Sequence, residues 1–363
     1  MLDCPELTEP AGRTEPAGLA ELTGLAEPAD SSVDASAGTL AATGALAFDP
    51  SATVVALDIG GTKTAVATAT AAGESLAACR VATREPGEDM THALDRLLRI
   101  ARDQVAAATG EGRREVVAVG LVCPGTVTAS GVALSPNLPG IENVDVLALA
   151  RASFGGVPVV VANDVKAAGL AEARTGALVA ADPGLFVNLG TGVAAALTVG
   201  GRVVGGARGV AGEIGYGLAP GHADDPDLES IIGGGPLIAR TQARYALTGH
   251  GLPPDAVAVL TSPDPRLREI ADHALDVLAG HVLNLYLTLD PARIAFGGGL
   301  MAASDRILDV LRSFVSTHCP GGPDMSDVIV PARYIHDGAL RGAVALAWDA
   351  AAGERPNWAL VTR

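Results

Sequence analysis

Val54-Val55-Ala56-Leu57-Asp58-Ile59-Gly60-Gly61-Thr62-Lys63-Thr64 decides how this chain is read. It opens as an apolar, β-branched run and closes in an acid, two glycines, a hydroxyl and a cation. Apolar residues resume in alternation from Ala65 to Ala69. The pattern reads as strand, tight turn, strand. Gly60 and Gly61 permit a backbone with φ > 0 and close approach to a ligand. The free N–H groups of such a turn, with Thr62 and Lys63, form a concavity suited to phosphate. Asp58, at the end of the first strand, suits a hydrated Mg²⁺, which prefers carboxylate plus water. A Walker loop needs G-x-x-x-x-G-K-[ST] before a helix. Here the glycines are adjacent and the next segment is β-patterned, so that motif does not apply. An ordinary Gly-Gly hairpin turn stays open as the alternative.

The plan restarts at Leu185. Leu185-Phe186-Val187-Asn188-Leu189-Gly190-Thr191-Gly192 is again a strand ending in a glycine turn, with a second strand over Val193–Val199. Between the two turns, Met90, Ala93, Leu94, Leu97, Leu98, Ala101 and Val105 recur at helical spacing. Val116–Val122 is a short apolar strand, followed by the polar loop Ser135-Pro136-Asn137-Leu138-Pro139-Gly140. Pro158–Ala162 is a buried-type strand ending at Asn163-Asp164, with a small-residue helix over Ala167–Ala173. Leu267–Leu285 carries a long helical pattern, Arg293–Phe296 is a strand entering Gly297-Gly298-Gly299, and Gly338–Ala350 is a small-residue helix. Two hairpin-plus-helix domains, each with a phosphate-type turn, imply a cleft that grips a nucleotide from both sides.

Composition bounds the function. The 363 residues, 48% of them hydrophobic, suffice for two or three domains. A net charge of −16 argues against nucleic acid or an anionic membrane as partner. No apolar run reaches the length of a membrane span. Cys4, Cys79, Cys123 and Cys319 are far apart, which suggests neither a disulfide framework nor a zinc site and fits a reducing cytoplasm. Lys63 and Lys166 are the two lysines of the chain.

Residues 1–52 hold nine acids against one base, with a loose Glu-Pro-Ala repeat, and read as a disordered tail. They lack the basic and apolar regions of a signal peptide. The organisation expected is this tail, an N-terminal α/β domain over 53–163, a C-terminal α/β domain over 164–352 and a short tail over 353–363.

Taken together, these motifs resemble the ROK family of sugar kinases from about Val54 to Trp348. Asp58-x-Gly60-Gly61-Thr62-Lys63 resembles its first phosphate motif, and Leu189-Gly190-Thr191-Gly192 its second. Ser135-Pro136-Asn137-Leu138 resembles the sugar loop, and Asn163-Asp164 the catalytic pair. Gly212-Glu213-Ile214-Gly215 resembles the Gly-Glu-x-Gly-His run, and Gly297-Gly298-Gly299 the adenosine motif. The resemblance implies a duplicated actin/hexokinase-like, ribonuclease H-like fold. It implies Asp164 as catalytic base, and Asn137, Asn163, Glu213, Tyr216 and Glu229 as sugar-binding residues. It also implies Mg²⁺-ATP between the two turns and a possible homodimer. On its own residues, Asp164 heads a helix. It either accepts a proton, being ionised at an ordinary carboxylate value, or caps that helix. Glu229 either binds sugar or is a first-turn acid favoured by the helix dipole.

Two departures stand out. Tyr216 replaces the family's His, and the twelve residues between Tyr216 and Glu229 contain no Cys, so no zinc is expected there. His222, Asp224, Asp225 and Asp227 read as a solvated loop. Lys166 replaces an Asn, and either keeps Asp164 ionised, contacts substrate or is a solvated charge. The function expected is ATP-dependent phosphorylation of a hexose or amino-hexose, at the 6-hydroxyl, with glucose and kanosamine as candidates. A sugar-responsive regulator and a catalytically silent sugar-binding protein are the alternatives. The acidic residues 1–52 supply no helix-turn-helix for the former.

Overall fold

The structure, a computed structural model, describes residues 48–49, 51–71, 75–109, 114–128, 131–219, 227–246 and 253–362. Most of the acidic segment at 1–52 lies outside the described residues, as do His222, Asp224 and Asp225.

The first half runs β1 (Ala52–Ile59), β2 (Lys63–Thr70), β3 (Ser75–Ala82), α1 (Met90–Thr109), β4 (Glu115–Cys123), β5 (Thr126–Thr128), β6 (Gly131–Ala133), α2 (Val146–Ser153), β7 (Val159–Asn163) and α3 (Asp164–Thr175). The second half runs β8 (Gly184–Leu189), β9 (Val193–Val199), β10 (Arg202–Val203), α4 (Leu228–Ile232), α5 (Gly234–Ala246), α6 (Ala256–Thr261), α7 (Pro265–Leu289), β11 (Arg293–Gly297), α8 (Ser304–His318) and β12 (Ile329–Pro331). The chain ends in α9 (Gly338–Ala351) and β13 (Ala359–Val361).

Two sheets follow one plan. The first has the order β3-β2-β1-β4-β7, with β13 outside β7, and the second the order β10-β9-β8-β11-β12. In each, a three-stranded antiparallel meander is extended by two parallel strands. This is the duplication read from the sequence. The central strands are apolar on both faces because helices cover both. On one face of the first sheet the stripe Ala93, Leu94, Leu97, Leu98 and Ala101 of α1 is fully buried. On the other lie Leu340, Ala343, Val344 and Ala347 of α9.

α3 and α9 form the seam between the sheets. α3 packs on β8 and β9, α9 packs on β4 and β1, and the two helices pack on each other. Their small residues permit this. A Cβ at Gly342 would sit 2.0 Å from the Ala167 carbonyl oxygen, so these helices touch through their backbones.

The end of the chain departs from expectation. Residues 353–363, expected as a tail, include β13, which pairs antiparallel with β7 through Ala359↔Ala162, Leu360↔Val161 and Val361↔Val160. By packing, α9 likewise belongs with the first sheet and not with the second half. The reason is that β7 would otherwise be an edge strand with unpaired N–H and C=O groups. The Val159 N–H also donates to the Thr362 hydroxyl at 2.9 Å. No helix among the described residues is long and apolar enough to cross a membrane.

Candidate active site

The parallel strands β1, β4 and β7 end side by side. Asp58 pairs with Val122, and Cys123 with Asn163. Ligands of open α/β sheets bind at such carboxyl ends. Asn163 is the N-cap of α3, and its Oδ1 accepts from the Lys166 N–H at 2.9 Å. Its Nδ2 donates to the Gly125 carbonyl at 2.9 Å and to Asp164 Oδ1 at 3.2 Å. The capping duty therefore falls to Asn163, not to Asp164. Asp164 Oδ1 also accepts from the Val165 N–H at 2.8 Å. Asn163 is almost wholly buried and its amide is engaged on both sides, which makes it a frame for Asp164.

The first glycine turn is held by its own backbone and by one hydroxyl. The Gly60 N–H donates to the Lys63 carbonyl at 3.1 Å, and the Thr83 N–H to the Thr62 carbonyl at 3.0 Å. Thr83 Oγ1 donates to the Gly60 carbonyl at 2.6 Å and lies 3.0 Å from Thr64 Oγ1. Thr83 is fully buried and was not singled out in the sequence, where it is an ordinary strand-end threonine. Gly61, Thr62 and Lys63 remain exposed. A Cβ on Gly61 would lie 2.3 Å from the Asn137 carbonyl oxygen, so the expected sugar loop packs directly on this turn. Asn137 itself is exposed.

The second turn is built differently. The Gly190 N–H donates to the Gly192 carbonyl at 3.0 Å, and the Gly234 N–H donates to the Gly190 carbonyl at 2.8 Å. The head of α5 thus lies against this turn, with the Gly235 N–H also donating to the Thr191 carbonyl at 3.4 Å. The signal for it was the run Gly233-Gly234-Gly235, three glycines opening a helix. Gly298, at φ +91, would place a Cβ 2.5 Å from the Leu189 carbonyl oxygen and 2.7 Å from Asn188 Oδ1. Gly298 therefore reaches the strand end that opens the second turn. Glu229, in the first turn of α4, accepts from the Val193 N–H through Oε2 at 2.9 Å. That oxygen also lies 2.5 Å from where a Gly192 Cβ would be. Glu229 is thus more than a helix-dipole acid, since it ties α4 to the second turn.

Between the turns lies a cluster of carboxylates. Burial pushes the Asp58 carboxyl up to about 7, the charge of Asp164 adds to the rise and Arg80 opposes it. Burial also raises Asp164, against the N–H of Val165. The ordinary value expected for Asp164 therefore does not hold. A carboxylate with a raised value is, when ionised, a stronger base than an ordinary one. Burial raises Glu213, the Lys166 ammonium opposes, and Asp164 and Glu229 raise it further. Burial raises the Tyr216 phenol, with Glu229, Glu213 and Asp227 adding, although the residue is 58% exposed. Burial pushes the Cys123 thiol up, with Asp164 and Asp58 adding, which makes it an inert core thiol.

Lys166 is not a solvated charge. It is 3% exposed, and its Nζ donates to the Gly209 carbonyl at 2.7 Å. Among the described residues no three His, Cys, Asp or Glu side chains form a metal cage. Hydrated Mg²⁺ needs no cage. It takes one or two carboxylates plus substrate phosphates, and the pair Asp58 and Asp164 fits that requirement.

Asn137 packs on the first turn, the charge of Asp164 acts on both Asp58 and Glu213, that of Glu229 acts on Glu213, and Glu229 touches the second turn. Tyr216 stands at the exposed rim, and Gly298 meets the strand end that opens the second turn.

The ROK family profile matches residues 54–350. A bifunctional enzyme NanE/NanK from Brucella melitensis is 31% identical over 276 residues, covering 75% of this chain and 50% of that protein. The chain spans about half the length of the bifunctional relatives it matches. An N-acetylmannosamine kinase from Shigella boydii is 27% identical over 307 residues, covering 81% of this chain and 98% of that protein. A ROK family glucokinase from Streptomyces griseus, solved in complex with glucose and AMPPNP, superimposes with a TM-score of 0.65 at 25% identity. That likeness covers 82% of this chain and 99% of the glucokinase, and makes the duplicated fold the actin/hexokinase-like one.

Proposed function

The chain belongs to the ROK family, and from that premise we propose that it is an ATP-dependent kinase of a hexose or amino-hexose, acting at the 6-hydroxyl. The observation that carries this reading is the set of mutually interacting carboxylates Asp58, Asp164, Glu213 and Glu229, set between two glycine turns at strand ends. Phosphoryl transfer asks for positioning and charge stabilisation at such a place.

In this reading the exposed Thr62 and Lys63 meet phosphate oxygens from one side and the Gly190–Gly192 turn from the other. Gly297, Gly298 and Gly299 receive the adenosine. Asp58 would hold Mg²⁺ through water, and the ion supplies neutralisation of charge on the phosphates. Glu213, Glu229 and Asn137 accept from or donate to sugar hydroxyls, with Tyr216 at the rim. Asn163 fixes the head of α3, and Asp164 accepts the proton of the attacking hydroxyl. Closure of the cleft excludes water. No zinc is needed, since the twelve residues between Tyr216 and Glu229 include no Cys.

The test is ADP release from Mg²⁺-ATP with glucose, mannose, N-acetylated hexosamines, glucosamine and kanosamine, followed by NMR of the product to locate the phosphate. Sugar-dependent release with one of these, and a 6-phosphate product, supports the reading. Absence of sugar-dependent release across the panel sinks the kinase. Phosphate on another hydroxyl sinks the 6-position.

A further inference from the structure

Burying an ammonium group is costly unless it is paired and hydrogen-bonded. This chain has two lysines, and one of them is buried within the candidate site. The Lys166 backbone N–H is fixed by the Asn163 cap at 2.9 Å, so its side chain leaves α3 from a rigid base. Its Nζ crosses to the carbonyl of Gly209, at 2.7 Å. Gly209 lies in the segment that leads from β10 to Glu213, where Gly206, Gly209 and Gly212 all adopt positive φ. Such a backbone has little stiffness of its own. One end is tied where the Ala195 N–H donates to the Gly212 carbonyl at 2.7 Å. On the other side Gly209 abuts β5, since a Cβ there would meet Thr126 Cγ2 at 3.1 Å. Lys166 therefore ties the middle of this segment to the helix that carries Asp164. Its charge also acts on Glu213, as do those of Asp164 and Glu229.

We infer that Lys166 is a positioning residue for the sugar pocket. Its ammonium fastens the Gly206–Gly212 segment to the head of α3 and so holds the Glu213 carboxylate at a fixed place beside Asp164. The role rests on the sugar-kinase reading above, and Lys166 acts through Glu213 without touching substrate.

The experiment compares Lys166→Met, Glu213→Gln and the double variant in the full chain. Lys166→Met is expected to raise the KM for sugar about tenfold, the scale of a lost charged hydrogen bond, and to leave the KM for ATP within about twofold. In the double variant the sugar KM is expected to match that of Glu213→Gln alone, because both changes remove one device. Fully additive losses, or an equal rise in both KM values, would overturn the inference. Hydrogen exchange gives a readout without substrate: amides of residues 206–213 should exchange faster in Lys166→Met while β1 and β4 keep their protection. Unchanged exchange in that segment overturns the tether, and a global loss of protection assigns Lys166 to folding instead. If the wild-type chain phosphorylates no sugar, the kinase reading fails on that result, and the exchange measurement still decides the tether.

Discussion

β1 runs out through Asp58-Ile59-Gly60-Gly61-Thr62, and β8 through Asn188-Leu189-Gly190-Thr191-Gly192. The two segments hold matching places in matching sheets, each the central strand between an antiparallel partner and a parallel one. Yet the first half places a carboxylate at the strand end where the second places a neutral amide. The charge of Asp164 acts on Asp58, and burial raises both carboxyls. Asn188 instead lies between Gly190 and Gly298, where its amide fills the gap between two glycine backbones. Duplication supplied one scaffold, and the halves then divided the work. In the proposed reading, the first carries the carboxylates for a cation and a proton. The second turn is mostly backbone, with the Glu229 carboxylate as its charged contact.

The sharpest way to break this division is at Asp164, at the end of the first sheet. Asp164→Asn keeps the shape and removes the proton acceptor. Turnover is expected to fall by ~10²–10⁴, the usual worth of a general base. Nucleotide affinity, assigned to the two glycine turns and to Gly297–Gly299, is expected to stay within about threefold, since uniform binding is untouched. Near-normal turnover would remove Asp164 from the base role, and a matching loss of nucleotide affinity would blur the two halves.

Asp58→Asn tests the charged half through stability as well as rate. The folded value of Asp58 is about 7, above the ordinary carboxylate value, so the folded chain binds that proton more tightly than the unfolded chain does. Its contribution to stability is therefore present below about pH 4 and is lost as pH rises through about 7. Asp58→Asn should consequently gain thermal stability relative to wild type between about pH 5 and pH 8, while losing Mg²⁺-dependent turnover. Melting curves of the two proteins across that range decide it. Parallel pH dependences would show that Asp58 is not held protonated in the free chain.

Much of this site was legible because strand–turn–strand patterns are local. Asp58 to Lys63 and Asn188 to Gly192 declare their turns by glycines at the end of apolar runs, and the order of motifs carried the fold. What was not legible depends on contacts distant in sequence. Thr83 reaches back 23 residues to Gly60. The Lys166 ammonium reaches forward 43 residues to Gly209. β13 returns to β7 from the far end of the chain, and nothing in Ala359-Leu360-Val361 names its partner. Asn163 and Asp164 posed a different difficulty. Both favour the N-cap, and only the backbone shows that α3 starts at Asp164 with Asn163 as its cap.

The smallest expected effect separates how the two turns are held. The Gly60 carbonyl accepts from a side-chain hydroxyl, Thr83 Oγ1, whereas the Gly190 carbonyl accepts from a backbone N–H, that of Gly234. The first turn's glycine carbonyl is thus open to loss of one side-chain hydroxyl, whereas the second turn's is held by backbone, with Glu229 bonded beyond it at Val193. Thr83→Val keeps the volume and the β-branch of a fully buried residue and deletes the hydroxyl. It leaves the Gly60 carbonyl and the Thr64 hydroxyl each short of a partner, which costs about 1–3 kcal/mol. If the fault stays local, the first turn loosens around Thr62 and Lys63. The KM for ATP then rises a few-fold, about what 1 kcal/mol allows, while the KM for sugar holds. Denaturation and steady-state kinetics on the one variant read both quantities. A stability loss with an unchanged KM for ATP would mean that Thr62 and Lys63 find the phosphates without a fixed turn, and the first half would then owe its role to Asp58 and Asp164 alone.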